Sequence, residues 1–141
     1  MTDPEAKSIA ERQLCGLVST MAHQIAEHVR DRATALGITA AQATALRELT
    51  GPMTMRELAD RMNCEPSNAT FIVDKLENQA LIERRPHPTD RRARQLVLTP
   101  EGAAMRERLL GLLAVDSPVA GLTQDEQGTL QRLLQQAMTH N

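Results

Sequence analysis

Aromatic residues are almost absent from this chain of 141 residues, which contains no Trp, no Tyr and a single Phe, Phe71. Such a chain cannot present a stacking platform for single-stranded nucleic acid or an aromatic cage for a cation. Its core must be built from Leu, Ile, Val, Met and Ala, which suits helices. With 41% hydrophobic and 24% charged residues, the composition is otherwise typical of a folded globular domain.

Cysteines and long apolar runs are also scarce. Cys15 and Cys64 match neither a CxxC nor a zinc-ligand spacing, so we expect no disulfide framework, no metal site and no cofactor. The longest apolar run, residues 109–115, is far shorter than the ~20 residues of a membrane span. The first seven residues lead into no signal-type apolar core. We therefore expect a cytoplasmic protein that does not enter the membrane.

Enzyme motifs are missing as well. The chain contains no GxGxxG, P-loop, GxSxG or HExxH pattern, so an enzyme is not expected. The net charge of −2 at first argues against nucleic acid as a partner. However, residues 84–94 contain five arginines and one acid, Asp90, which gives this segment a net charge of +4. The charges are therefore segregated along the chain.

Hydrophobic spacing and capping signals predict six helices and one hairpin. Capping boxes begin at Thr39, Thr54 and Thr123, and Pro66 and Pro100 suit the first turn of two more helices. The predicted helices cover residues 9–36, 39–50, 54–62, 66–80, 99–113 and 123–138. Two short β-like runs, 81–85 and 95–99, flank a loop that contains two prolines.

This order of elements predicts a mainly α fold, a winged helix–turn–helix of three helices and a β-hairpin wing. We expect the winged helix–turn–helix to cover residues 39–99 as a DNA-binding domain. The amphipathic helices in residues 1–38 and 100–141 would leave apolar surface exposed unless they pair with each other and with a second copy. We therefore expect these two segments to form a dimerisation region.

The second helix of the helix–turn–helix has two distinct faces. At 100° per residue, one predicted core face carries Ala69, Ile72, Val73, Leu76 and Ala80. The candidate DNA contacts lie away from that face, and they are Ser67, Asn68, Thr70, Phe71 and Lys75. Asn can bind adenine through two hydrogen bonds, hydroxyls can bind bases or phosphates, and an aromatic ring can touch thymine methyls. The alternative is a solvated polar face, with Phe71 folded back against the wing or the preceding helix.

The hairpin loop is the second candidate surface. Its arginines are Arg84, Arg85, Arg91, Arg92 and Arg94, and arginine on a projecting loop suits a narrow minor groove. We select Asp90, Arg91, Arg92 and Arg94 as the wing contacts, with Asp90 orienting Arg92 through a charge-assisted hydrogen bond. The alternative is a charged loop that keeps an edge hairpin from aggregating.

Several segments together resemble the MarR family of regulators. They are Thr54–Met62, Pro66–Thr70, Val73–Glu77, Leu81–Arg85, Asp90-Arg-Arg and Leu96-Val-Leu-Thr-Pro-Glu-Gly102. The resemblance implies a homodimer held by the first, fifth and sixth helices, with recognition helices in two major grooves and wing arginines in the flanking minor grooves. It places the DNA contacts on Ser67, Asn68 and Thr70, and the wing pair on Asp90 and Arg92. Most such proteins are repressors released by a small aromatic or anionic effector.

The signal that this chain senses is less well defined. Gln13-Leu-Cys-Gly-Leu resembles the segment with the reactive cysteine in the organic-hydroperoxide regulators of the family, which makes Cys15 a candidate redox site. Tyrosines contact the thiolate in those relatives, and this chain has none. Cys15 can equally be a small residue at the edge of an apolar stripe. An effector pocket could use His28, Arg47 or Arg56, and the sequence does not select among them.

The sequence leads to a dimeric, effector-responsive transcriptional regulator, with a repressor expected, that binds pseudo-palindromic double-stranded DNA. Two other classes remain open. A winged-helix protein-interaction module would use the same faces to bind another protein. An enzyme would use Cys15 as a nucleophile, although the sequence places no base beside it.

Overall fold

The computed structural model describes residues 3–140, and within this range it contains six helices and one antiparallel hairpin. The elements are α1 (Pro4–Ala35), α2 (Ala40–Glu48), α3 (Met55–Met62), α4 (Pro66–Asn78), β1 (Ile82–Pro86), β2 (Arg94–Leu98), α5 (Pro100–Leu113) and α6 (Gln124–Thr139). This architecture confirms the predicted mainly α, winged helix–turn–helix fold. Both ends of each strand lie one residue from the predicted position, whereas α1 begins five residues earlier than predicted.

Local capping chemistry explains where the helices begin. The three predicted capping boxes are present at Thr39, Thr54 and Thr123, where each threonine accepts from the N3 amide and the N3 side chain accepts from the threonine amide. Pro66 and Pro100 lie at the starts of α4 and α5. Each motif satisfies backbone N–H groups that the first turn of a helix leaves unpaired.

Left-handed residues end three of the helical segments. Gly37 follows α1 with a φ of 73°, and Asn63 caps α3 with a φ of 54°. Ala80 corrects the prediction, because it was expected on the buried face of the fourth helix. It lies beyond the end of α4 with a φ of 61°, and its side chain is exposed. The chain turns into the hairpin there, so the apolar face of α4 ends at Leu76.

Residues 26–115 form one compact unit that contains every buried residue of the described chain. Its core consists mainly of Leu, Ile, Val, Met and Ala, and its largest fully buried side chains are Leu46, Leu49, Leu58, Leu76, Ile82, Leu96 and Leu109. The second unit comprises residues up to Ile25 and from Asp116 onward. None of its described residues is buried. The proposed boundaries of the dimerisation region, 1–38 and 100–141, stay a prediction.

Backbone contacts hold the hairpin against the helices. β1 and β2 pair in antiparallel register from Ile82–Leu98 to Pro86–Arg94. Met53, just before α3, forms a further bridge to β2, in which the Met53 and Leu96 amides each donate to the other residue's carbonyl at 3.2 and 2.7 Å. The hairpin is therefore fixed to the start of α3 as well as to itself.

Arginine and histidine side chains bind the carbonyl ends of two helices in the compact unit. Arg106 of α5 donates to the Leu46 and Arg47 carbonyls of α2 at 2.9 and 3.1 Å. Arg32 and His28 of α1 donate to carbonyls at the end of α5, at Leu112, Leu113 and Val115. A cation at a helix C-terminus is favourable because the unpaired carbonyls there carry partial negative charge. These bonds connect α1, α5 and α2.

Gly102 allows α5 to approach the backbone that enters the hairpin. A Cβ at this position would lie 1.9 Å from the carbonyl oxygen of Leu81, the same oxygen that accepts from the Thr99 amide at 3.1 Å. No side chain fits this contact without moving the backbone. The glycine of the Leu-Thr-Pro-Glu-Gly segment therefore has a packing role.

Gly102→Ala is expected to lower the free energy of unfolding by at least about 3 kcal/mol, because the clash involves backbone rather than a flexible side chain. Gly111→Ala, in the same helix, is the matched control, since its Cβ would meet nothing within 4 Å. We expect that variant to gain about 0.5–1 kcal/mol from helix propensity. Urea unfolding followed by circular dichroism measures both changes. Equal stabilities of the two variants would contradict the assigned role of Gly102.

Candidate nucleic-acid interface

The recognition helix candidate, α4, buries one face and exposes the other. Ala69, Val73 and Leu76 are fully buried against the core. Ser67 and Asn68 are exposed in the first turn of the helix. Thr70 is half-buried, and its hydroxyl donates to the Pro66 carbonyl at 2.9 Å. Within residues 3–140 the Ser67 and Asn68 side chains have no hydrogen-bond partner, whereas the Thr70 hydroxyl retains only its acceptor capacity.

Phe71 lies on the exposed face of α4 with 62% of its surface accessible. It does not fold back against the hairpin or α3, which was the alternative. The Nζ of Lys75 lies 4.5 Å from the centre of the Phe71 ring, a cation–π distance. The two side chains thus form an exposed pair on α4, C-terminal to Asn68. Sequence reasoning selected both residues but not their contact.

A cavity of about 540 Å³ lies beside this pair, between α2, the α3–α4 turn and α4. Asn68, Phe71 and Lys75 line one side of it, together with Cys64 from the turn. Cavities of this size accommodate small organic molecules. This concave surface is therefore continuous with the exposed face of α4.

The hairpin loop is organised by two side chains that accept backbone hydrogen bonds. The Nδ1 of His87 accepts from the amides of Thr89 and Asp90 at 3.2 and 3.0 Å. The Asp90 carboxylate accepts from the backbone amide of Arg92 at 3.0 Å. The expected charge-assisted hydrogen bond between Asp90 and Arg92 is present, and its donor is the Arg92 backbone N–H. An aspartate in a tight turn reaches the amide two residues later more readily than a long side chain.

The five arginines of residues 84–94 fall into two groups. Arg84 of β1 pairs with Asp74 and, at 3.6 Å, with Glu77 of α4, and Arg85 pairs with Glu83. Asp90 is the one acid within residues 84–94, but acids outside that segment compensate Arg84 and Arg85. Sequence reasoning considered the segment alone, whereas the acids come from the helix packed beside it and from the same strand.

The second group remains available for an anion. Arg91, Arg92 and Arg94 are exposed, and within residues 3–140 none of them has an ion pair. These are the three arginines selected for the wing. The effective positive charge of the hairpin therefore lies at its loop and at the start of β2.

The other candidate residues lie in separate places. Cys15 is exposed on α1, and Cys64 is a half-buried free thiol. His28 donates to the Leu113 carbonyl, Arg47 lies 3.7 Å from Glu48, and Arg56 is exposed at the start of α3. The structure therefore does not bring His28, Arg47 and Arg56 together in one pocket. Among residues 3–140, no group of three or more His, Cys, Asp or Glu side chains could hold a metal ion. No helix in the same range has the length and apolarity needed to cross a membrane.

A helix–turn–helix followed by a two-stranded wing that is held against it defines a winged helix–turn–helix domain. The domain belongs to the MarR family, whose model matches residues 38–93. This agrees with the family resemblance of the sequence motifs.

Individual relatives extend this similarity. The chain is 40% identical over 76 residues to the transcriptional repressor MdtR of Bacillus subtilis, an alignment that covers 52% of this chain and 49% of MdtR. It is 27% identical over 127 residues to the organic hydroperoxide resistance transcriptional regulator of the same organism, covering 87% of this chain and 83% of that protein. The alignments to the first two curated relatives span 60% of YkoM and 49% of MdtR, so the chain matches only part of their length.

Solved structures show the same fold. A mutant of MarR from E. coli in complex with operator DNA superposes with a TM-score of 0.73 and 28% identity, over 96% of this chain and 99% of that one. Wild-type MarR from E. coli in its apo form gives a TM-score of 0.71 and 29% identity, over 88% and 95% of the two chains. The similarity therefore extends beyond the winged helix to the flanking helices.

Proposed function

We propose that this protein is a transcriptional regulator that binds double-stranded DNA as a homodimer. The observation that carries this proposal is the presence, in one compact unit, of an exposed polar helix start and a hairpin with three unpaired arginines. A helix of this width fits the major groove, and arginines on a projecting loop fit the adjacent minor groove. The match to a MarR structure bound to operator DNA supports the same arrangement.

In this proposal α4 reads sequence and the wing contributes affinity. Asn68 offers an amide that can donate to and accept from an adenine edge, and Ser67 offers a hydroxyl to a base or phosphate. Phe71 is exposed to touch thymine methyl groups, and Lys75 lies over its ring. Arg92 enters the minor groove, with Arg91 and Arg94 beside it. Asp90 acts indirectly, because it holds the Arg92 backbone.

Asn68→Ala and Arg92→Ala are expected to weaken DNA binding in different ways. Asn68→Ala should cost about 1–3 kcal/mol at particular base pairs and relax the selected sequence there. Arg92→Ala should weaken binding to all duplexes, most where the flanks are A·T-rich, because narrow grooves attract arginine. The log–log salt slope of the dimer should fall by about 1.8 if the side chain neutralises one phosphate in each half-site. Binding-site selection and gel-shift titrations at several salt concentrations measure these effects.

The matched control is Arg132→Ala, which removes one cation from α6, outside the winged helix domain. We expect it to bind DNA as the wild type does. Wild-type affinity in Arg92→Ala would overturn the wing assignment, and an unchanged consensus in Asn68→Ala would overturn the readout assignment. A wild-type protein with no salt-dependent DNA affinity would instead favour the protein-interaction module.

The proposal of a homodimer is based on apolar side chains that the single chain leaves exposed. None of the residues 3–25 and 116–140 is buried in the single chain, although this segment carries a stripe of large apolar side chains on α1 and α6. The exposed members are Ile9, Leu14, Leu17, Val18, Ile25, Leu133, Leu134 and Met138. Leaving such a stripe in water is unfavourable by roughly 25 cal/mol per Å². A second copy supplies a self-complementary apolar surface, and its two-fold symmetry fits a pseudo-palindromic site.

Leu17→Glu is expected to weaken dimerisation. Leu17 is 69% exposed in the single chain. Burial of one leucine contributes about 1.5–3 kcal/mol, and symmetry removes two, so the dimer dissociation constant should rise by roughly 10²- to 10⁴-fold. Ser19→Glu adds the same charge on the opposite side of α1 and should remain dimeric. Sedimentation equilibrium measures both. A monomeric wild type, or a Leu17→Glu variant as dimeric as Ser19→Glu, would contradict this interface.

We further propose that the protein is a repressor released by a small effector. The name of MdtR, a transcriptional repressor, supports the first part. The cavity beside Phe71 and Lys75 supports the second, because a ligand there would contact residues that α4 offers to DNA. A thermal-shift screen of small anionic and aromatic compounds is the direct way to find the effector.

Redox control through Cys15 is a second candidate. It is favoured by the similarity to the organic hydroperoxide resistance regulator and by the exposure of Cys15. In the chemical step the thiolate sulfur attacks a peroxide oxygen and becomes a sulfenic acid, while the hydroperoxide is reduced to an alcohol. The added oxygen on α1 would change packing within the apolar stripe.

If this candidate is correct, cumene hydroperoxide should release wild-type protein from DNA at least about tenfold more effectively than the Cys15→Ser variant. Cys64→Ser is the matched control and should respond like the wild type. Gel-shift titrations before and after addition of a thiol reductant measure the effect and its reversal. An equal response of wild type and Cys15→Ser would remove the redox candidate and leave the DNA-binding proposal intact.

A further inference from the structure

A small cleft of about 250 Å³ lies between the start of α3 and the hairpin. We call it the α3–hairpin cleft, and the lining residues used below are Thr54, Arg56, Arg84, Arg94 and Leu96. Three of these five residues are arginines, and no carboxylate lines the cleft. It is therefore a concentrated positive surface outside the recognition helix and outside the tip of the wing.

The tertiary fold brings these arginines together. Arg56 and Arg94 are far apart in sequence, but the bridge between Met53 and Leu96 places the start of α3 against β2. Arg56 follows Met53 by three residues, and Arg94 precedes Leu96 by two. Arg56 of α3 and Arg94 of β2, both exposed, consequently line one cleft.

The three arginines differ in their partners. Arg84 is already paired with Asp74 and Glu77 of α4, so its positive charge is compensated and adds little to the net charge of the cleft. Within the described part of the chain, Arg56 and Arg94 have no ion pair. The cleft therefore holds two uncompensated positive charges.

Backbone N–H groups add to this field. Thr54 caps α3 by accepting from the Glu57 amide at 3.2 Å, which leaves the amides of Met55 and Arg56 without a protein acceptor in the described residues. The first amides of a helix point out of its N-terminus and favour an anion there. The cleft thus offers the donors that bind a phosphate, namely guanidinium forks and backbone amides.

The surfaces on either side of the α3–hairpin cleft indicate which ligand it binds. Arg94 lies two residues from Arg92 of the proposed wing, and α3 is the first helix of the helix–turn–helix, which characteristically crosses the DNA backbone. A duplex contacted by α4 and by the wing would therefore pass its sugar–phosphate backbone along this cleft.

We propose that the α3–hairpin cleft binds a single DNA phosphodiester through Arg56 and Arg94, assisted by the first amides of α3. This inference rests on the proposed DNA-binding function and adds a contact that fixes the register of the domain on the duplex. Contacts of this kind position a protein on the duplex without reading its sequence. Arg56 and Arg94 therefore contribute affinity but leave the selected sequence unchanged.

The test compares Arg56→Gln, Arg94→Gln and the double variant with the charge-matched Arg132→Gln. Each single variant should lose about tenfold in affinity at low salt for both specific and non-specific duplexes, with an unchanged consensus. Because the two arginines share one phosphate in each half-site, the double variant should reduce the log–log salt slope of the dimer by about 1.8 rather than by about 3.6. A reduction near 3.6 would mean two separate phosphates in each half-site and would overturn the shared cleft.

Neutral methylphosphonate linkages, placed one at a time along the duplex, locate the contact. The wild type should lose affinity at one linkage in each half-site where the double variant shows no further loss. If every linkage that weakens the wild type also weakens the double variant by the same factor, the proposal is wrong. If inorganic phosphate at constant ionic strength binds the wild type but not the double variant, while both bind DNA equally, the cleft is a free-phosphate site and the proposal is also wrong.

Two further variants separate this inference from the function on which it rests. If Asn68→Ala and Arg92→Ala weaken DNA binding while the cleft variants behave like Arg132→Gln, only the cleft proposal fails. If the wild type itself shows no salt-dependent affinity for duplex DNA, the proposed function fails first. Circular dichroism spectra and unfolding curves that match the wild type ensure that every variant compared is folded.

Discussion

Backbone contacts at the middle and at the base of the hairpin determine where the wing stands, and the candidate interface depends on that position. At the middle of β2, Met53 and Leu96 exchange two hydrogen bonds and hold β2 to the start of α3. At the base, the Leu81 carbonyl accepts from Thr99, and Gly102 permits α5 to approach that carbonyl. Backbone contacts of this kind leave little rotational freedom. A flexible wing could not hold Arg92 and Arg94 at a constant distance from α4.

The arginines of this chain perform three different physical tasks. Arg32 and Arg106 bind the carbonyl ends of helices, where they replace water on partly buried acceptors. Arg84 and Arg85 form ion pairs with carboxylates of the same domain. The exposed group, Arg56, Arg91, Arg92 and Arg94, faces the surfaces proposed for DNA. A net charge of −2 conceals this division, because affinity for a polyanion depends on the local field rather than on the sum.

Buried residues are distributed along the chain as unevenly as the free positive charges. The unit of residues 26–115 contains the whole core, and the described residues outside it contribute exposed apolar side chains and no buried ones. A helix of 32 residues such as α1 derives most of its stability in water from tertiary or quaternary packing of an apolar face. The part of α1 up to Ile25 and all of α6 therefore have the composition of an interface, and a symmetric partner gives that composition a physical reason.

The sequence by itself determined the local structure and the identity of the candidate surfaces. Capping boxes, prolines at helix starts and apolar spacing act over three or four residues, so the helix starts at Thr39, Thr54 and Thr123 and the exposed face of α4 could be read directly. Ala80 was misplaced because helical spacing continues past the point where the chain turns. Only the tertiary structure decided that Arg84 is paired with α4 and that Arg56 and Arg94 share a cleft. Those outcomes depend on pairs of residues far apart in sequence, such as Asp74 with Arg84 and Met53 with Leu96, whose proximity is set by packing and by hairpin register rather than by any local pattern.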